Sequence, residues 1–83
     1  MNSSTTADFR AAYFALPPET RARVRRAFAL WRRNPRHPAL RFKKVGRVWS
    51  VRIGRDYRAL ALLRGDTLHW FWVGSHDDYT RLI

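Results

Sequence analysis

Apolar residues recur at helical spacing in the first half of the chain and at strand spacing in the second. Phe9, Ala12, Tyr13 and Leu16 fall at i, i+3, i+4 and i+7, one face of a short helix. Pro17-Pro18 stops that helix and suits the first turn of the next. Val24, Ala27, Phe28 and Trp31 repeat the spacing, so a second helix runs from about Glu19 to Asn34, with Arg21, Arg25 and Arg32 on its other side. Asn34-Pro35 and His37-Pro38 end it. The first half is therefore a helical hairpin. Residues 1–6 are polar and read as disordered, with Thr5 and Asp8 forming a weak capping-box match.

Beyond Pro38 the period changes to two. Leu40 to Val45, Val48 to Ile53, Tyr57 to Arg64 and Thr67 to Val73 read as strands. Gly46-Arg47 and Gly65-Asp66 are two-residue turns with glycine first, and Gly54-Arg55-Asp56 is a three-residue loop. Ser75, with Asp78 three residues later, caps a last short turn or helix. The fold class is α+β: an N-terminal helical hairpin packed on a four-stranded antiparallel meander, all within a single domain of residues 1–83.

Tight turns fix a register, and the register sorts side chains by face. Val45 opposes Val48, Ile53 opposes Tyr57, and Arg64 opposes Thr67. One face then carries Trp49, Val51, Ile53, Ala59, Ala61, Leu63, Leu68, Trp70 and Trp72, apolar enough to receive the helices. The other carries Arg41, Lys43, Ser50, Arg52 and Arg58, with Leu60, Leu62, His69 and Phe71 further along. In this register Arg41 faces Arg52, Arg52 faces Arg58, and Arg58 faces Val73. Like charges set opposite one another destabilise a sheet. Either the arginine row is kept for an anion, or its members are solvated at the sheet edge.

Composition sharpens this picture. The 83 residues carry a formal net charge of +11. Thirteen of the seventeen Lys and Arg lie between Glu19 and Asp56, where there is no carboxylate. One sign of charge concentrated in this way attracts polyanions and speeds their capture. Nucleic acid is the first partner that fits, and an acidic protein the second. A chain this small buries only about 60% of its unfolded surface, so its four Trp, five Phe and three Tyr are needed for the core. With no cysteine, disulfides and thiolate zinc sites are excluded. Nothing resembles a signal peptide or a membrane span, which leaves a cytoplasmic location as the expectation.

The candidate chemistry gathers past the last strand. His76 reaches the end of the arginine row, and imidazole is the side chain best suited to moving a proton near neutral pH. Asp77 and Asp78 either orient it or cap the last turn. Tyr79 either stacks on a base or plugs the core. His37 reads as a loop residue and His69 as a packed one. Trp49, Trp70 and Trp72 read as core. The chain holds no phosphate-binding glycine loop, nucleophile elbow or metal-ligand cluster.

The blocks FRAAYFALPPE, NPRHPALRFKKV, WSVRIGRDYRAL and WFWVGSHDDYTRLI, in this order, resemble the RelE/ParE toxin superfamily of bacterial toxin–antitoxin systems. The resemblance runs from about Phe9 to Ile83. It implies a RelE-like, ribosome-dependent mRNA endoribonuclease that inhibits translation and needs no cofactor or metal. It also implies a chain that is monomeric when free and heteromeric with a neutralising antitoxin, with ribosome and mRNA as further partners. Carried onto this sequence, Arg52 and Arg58 match the basic strand positions and His76 the post-strand position, with Tyr79 a candidate terminal tyrosine. Arg41, Lys43, Lys44, Arg55, Arg21, Arg25 and Arg32 would hold RNA. Two alternatives remain: a non-catalytic ParE-type inhibitor of DNA gyrase, and a degenerate domain that binds only RNA or antitoxin. RelE has a lysine where this chain has Ser50. The superfamily also begins with a strand, which Met1 to Asp8 is too short and polar to supply, so an edge strand is expected to be missing.

Overall fold

The computed structural model describes residues 2–82. Its elements, in order, are β1 (Asn2–Thr5), α1 (Ala7–Phe14), α2 (Pro18–Arg33), a 3-10 turn (Pro38–Leu40), β2 (Lys43–Val45), β3 (Val48–Ile53), β4 (Tyr57–Arg64), β5 (Thr67–Ser75) and α3 (His76–Leu82). The helical hairpin and the meander are both present. The sheet has five strands in the order β1-β5-β4-β3-β2, so it is mixed rather than purely antiparallel.

The fifth strand corrects the reading of the N-terminus. Residues 2–5 are not disordered, and the edge strand is not missing; Met1 lies outside the described residues. β1 pairs parallel to β5, Asn2 opposite Thr67 and Thr5 opposite Trp70. Asn2 donates its backbone N–H to the Asp66 carbonyl at 2.9 Å, and Thr6 donates to the Trp70 carbonyl at 2.9 Å. Ser4 Oγ lies 2.8 Å from His69 Nδ1, which ties His69 to the edge strand. The pairing draws on backbone groups that any residue carries, so this all-polar segment forms a strand without an apolar pattern.

Local chemistry sets the helix ends. Thr6, not Thr5, caps α1: its Oγ1 accepts the Phe9 N–H at 3.1 Å. α2 starts at Pro18, carries Glu19 in its first turn and Arg32 and Arg33 in its last, all favourable to the helix dipole. Arg21 donates to the Leu16 carbonyl at 2.7 Å, and Arg25 donates to the Tyr13 hydroxyl at 2.7 Å. Both arginines therefore tie α2 back to α1. His37 Nδ1 accepts the Ala39 N–H at 3.1 Å and starts the 3-10 turn.

The first meander strand is shorter than expected. The 3-10 turn takes up Pro38–Leu40, and Arg41 then adopts a left-handed conformation with φ 44°. A strand cannot pass through that backbone, so β2 begins at Lys43 and Arg41 does not face Arg52. The other turns pair as the sequence predicts: Val45 with Val48, Ile53 with Tyr57, Arg52 with Arg58, Arg64 with Thr67. Gly46 and Gly65 each have φ 62°, as the first position of a tight hairpin turn requires.

A β-bulge changes the rest. Ala61 pairs with Trp70 but Leu60 pairs with Trp72, so Phe71 is an extra residue on β5. One extra residue inverts the facing of everything after it. Val73 therefore joins the core and Trp72 moves to the opposite face, against the sequence expectation. Arg58 consequently pairs with Gly74 rather than Val73. A side chain at Gly74 would overlap the Trp72 ring.

The core lies between the hairpin and one face of the sheet. It gathers Phe9, Val24, Trp31, Leu40, Val51, Ile53, Ala59, Ala61, Leu68, Trp70 and Val73. Among the described residues no helix is long and apolar enough to cross a membrane.

Candidate functional site

The sheet face turned away from the hairpin carries the candidate site. Ser50, Leu60 and Trp72 lie side by side across β3, β4 and β5, with Arg58 on the same face of β4. α3 packs against the ends of β4 and β5.

Arg58 is 9% exposed. Its Nη1 donates to Ser50 Oγ at 3.0 Å. Its guanidinium carbon lies 5.0 Å from the centroid of the Tyr79 ring, a cation–π contact brought by α3. Its Nε is buried with no partner. Among the described residues the one ion pair is Arg81 with Asp78, so no carboxylate balances Arg58. Arginine stays protonated. A buried cation without a counterion is costly unless something anionic meets it.

The facing arginines settle their repulsion by turning apart. Arg52, half-buried, bends toward the β3–β4 turn and donates Nε to the Gly54 carbonyl at 2.9 Å. Arg58 turns the other way, to Ser50 and Tyr79. Ser50 is fully buried. The sequence marked it only as the position where a lysine is absent; the structure makes it the hydroxyl that aims Arg58. Its position two residues along from Arg52 on the same face was the available signal, because diagonal neighbours in a sheet are within reach of long side chains.

His76 opens α3 and is exposed. Its backbone N–H donates to the Asp56 carbonyl at 2.6 Å, pinning the start of α3 to the β3–β4 loop. Its ring lies 6.0 Å from the Tyr79 ring, centroid to centroid. Tyr79, buried, thus touches both Arg58 and the neighbourhood of His76. It fills the gap between α3 and the sheet while its ring face serves the cation. Asp78 donates its N–H to Ser75 Oγ at 3.1 Å and pairs with Arg81 at 3.4 Å, so it caps and braces α3. Tyr79 links Arg58, with its Ser50 partner, to His76 in one cluster, and Arg52 turns away from it.

The remaining basic candidates spread out. Lys43 and Lys44 are exposed on β2, Arg41 at the end of the 3-10 turn, Arg55 in the β3–β4 loop and Arg32 on α2. Arg23 and Arg26, not singled out from the sequence, line a cavity of about 530 Å³ with Arg52 between α2 and the β3–β4 turn.

This layout, a helical hairpin on one face of a sheet and a short C-terminal helix closing on the other, is the fold of RelE toxins. The chain is similar to the RelB–RelE antitoxin–toxin complex of Methanococcus jannaschii, at 17% identity and TM-score 0.72, over 95% of this chain and 96% of that one. It is similar to the RelBE2 toxin–antitoxin complex of Mycobacterium tuberculosis, at 24% identity and TM-score 0.67, over 90% and 96%. It also matches the isolated Escherichia coli RelE toxin, at 11% identity and TM-score 0.64, over 99% and 98%. A search of curated proteins finds no match. The family model for the ParE-like toxin domain matches residues 18–81, most of the chain. The protein belongs to that family, within the RelE/ParE toxin superfamily.

Proposed function

We propose that the chain is a ribosome-dependent mRNA endoribonuclease whose activity an antitoxin neutralises. The observation that carries this reading is Arg58, buried and without a carboxylate partner among the described residues, against the Tyr79 ring that the exposed His76 ring also approaches. RNA brings its own nucleophile, the 2′-OH next to each phosphate. His76 takes the 2′-OH proton, the 2′ oxygen bonds to phosphorus, and the bond to the 5′ oxygen breaks. The leaving oxygen takes a proton from water, and a 2′,3′-cyclic phosphate remains. Arg58 stabilises the charge that builds on the phosphoryl oxygens, and Arg52 joins it only by leaving the Gly54 carbonyl. No step calls on a metal or cofactor. Ser50 and Tyr79 hold the Arg58 guanidinium in place, which lowers the cost of orienting it during the reaction.

Primer extension on translated mRNA tests this. Wild-type protein should leave discrete cuts in ribosome-bound message. His76→Ala should abolish them while leaving the melting temperature unchanged. Full cleavage by the His76→Ala variant would overturn the assignment.

The second reading is a non-cleaving toxin that inhibits DNA gyrase. Two observations favour it: the family match is to the ParE-like domain, and Ser50 stands where RelE carries a lysine. Intact RNA together with inhibited supercoiling in a purified gyrase assay would establish it instead. In both readings the protein partner is an antitoxin, the assembly seen in two of the similar structures.

A further inference from the structure

A line of aromatic rings crosses the interior and surfaces at the β2 edge of the sheet. Phe9 meets Phe28 at 5.8 Å between centroids, Phe28 meets Trp70 at 4.8 Å, Trp70 meets Trp31 at 5.7 Å, and Trp31 meets Phe42 at 5.7 Å. All four contacts are edge-on. The last contact in the line differs: Phe42 and Trp49 lie 4.9 Å apart at an interplanar angle of 29°, stacked. Edge-on contacts close an interior. A near-parallel pair at the end of the line presents a ring face on which another flat ring can continue the stack.

A cavity of about 450 Å³ opens at this pair, lined by Pro35, Arg36, Phe42 and Trp49. That volume lies within the roughly 300–1,000 Å³ usual for small-ligand sites. Both rings are half-buried. The charge around them has one sign. Lys44 pairs with Trp49 across β2 and β3 and so shares its face, while Lys43 pairs with Ser50 and faces the Arg58 side. Every residue of the cleft comes from the stretch between Glu19 and Asp56, which has no carboxylate.

We infer that this cleft binds an unstacked base of single-stranded RNA. Trp49 supplies the stacking face, and Arg36 and Lys44 hold the flanking phosphates. Aromatic platforms set among cations are how proteins grip single strands without reading sequence. The inference rests on the RNA reading above and adds a second contact on the opposite side of the sheet. Trp49 and Arg52 are three residues apart on β3, about 10 Å. Lys43 and Lys44 point to alternate faces of the edge strand. An RNA strand crossing β2 therefore meets cations from the cleft to the Arg58 cluster.

The test uses fluorescence anisotropy with a labelled short oligoadenylate and the full chain carrying His76→Ala, so that the probe is not consumed. An abasic ribose-phosphate chain of the same length should bind about 5- to 100-fold more weakly than oligoadenylate. Adding Trp49→Leu should weaken oligoadenylate binding by a similar factor, and Trp49→Phe much less, with the salt dependence unchanged because no charge is removed. Equal binding of the abasic chain would overturn the inference, as would an unchanged affinity in a folded Trp49→Leu variant. So would binding of an acidic peptide that Trp49→Leu weakens while oligoadenylate binding stays the same. If Trp49→Leu does not fold, the abasic comparison on the intact ring decides. Absence of any oligoadenylate binding, or binding indifferent to Trp49, overturns the cleft alone; the endoribonuclease reading stands or falls on the primer-extension test.

Discussion

Ser50 and Gly74 occupy neighbouring parts of the same sheet face, and each is small for a different reason. Ser50 gives a buried hydroxyl to Arg58. Ser50→Ala removes the acceptor and leaves a buried guanidinium N–H unpaired, a loss of about 1–3 kcal/mol. Chemical denaturation should read that loss as a lower midpoint with an unchanged slope, and an unshifted midpoint would mean that Arg58 finds another acceptor. Gly74 lies beneath the Trp72 ring, and a methyl group there has no room. Gly74→Ala forces the indole to move or β5 to shift, at about 1–3 kcal/mol. Near-ultraviolet circular dichroism should report a changed tryptophan environment; a spectrum and midpoint like the wild type would show that the ring swings aside freely. Arg58 itself was visible in the sequence as a strand cation. Its burial was not, because that depends on α3 returning over the sheet with Tyr79.

Among the elements, the strands and helices of the meander and hairpin were legible because each carries its own signal. Proline and glycine punctuate them, and the apolar period switches from helical to strand spacing. β1 carries no such signal. It is a polar edge strand held by the backbone and by the Ser4–His69 contact, and only the exposed edge of β5 makes it a strand. Deleting residues 1–5 should speed hydrogen exchange of the β5 amides and increase self-association, since an uncovered edge pairs with other chains. Unchanged protection of β5 would show that β1 contributes nothing to the sheet. The bulge at Phe71 was equally hidden. A one-residue insertion in a ladder leaves the alternation of apolar residues almost intact, yet it moved Trp72 to the site face and Val73 to the core.

Across the whole molecule the charge separates into groups with different work. Arg21 and Arg25 bind α2 to α1. Arg52 and Arg58 diverge around the candidate cleavage face. Lys43, Lys44 and Arg36 mark the edge that leads to the aromatic cleft. If RNA engages these groups together and neutralises about six to ten phosphates, its affinity should fall about 10³- to 10⁵-fold between 50 and 200 mM salt. A filter-binding series across that range measures the slope, and a flat series would mean that the cations face solvent rather than RNA.

Composition and periodicity were enough to establish the α+β class, the hairpin, the meander turns and the cationic character. Each follows from local chemistry: where proline interrupts, where glycine permits a turn, which positions repeat. Tertiary structure alone decided the edge strand, the bulge, the burial of Arg58 and the stacked pair at Trp49. These depend on partners distant in the chain, and no local period encodes which backbone edge is left open or which ring meets the next.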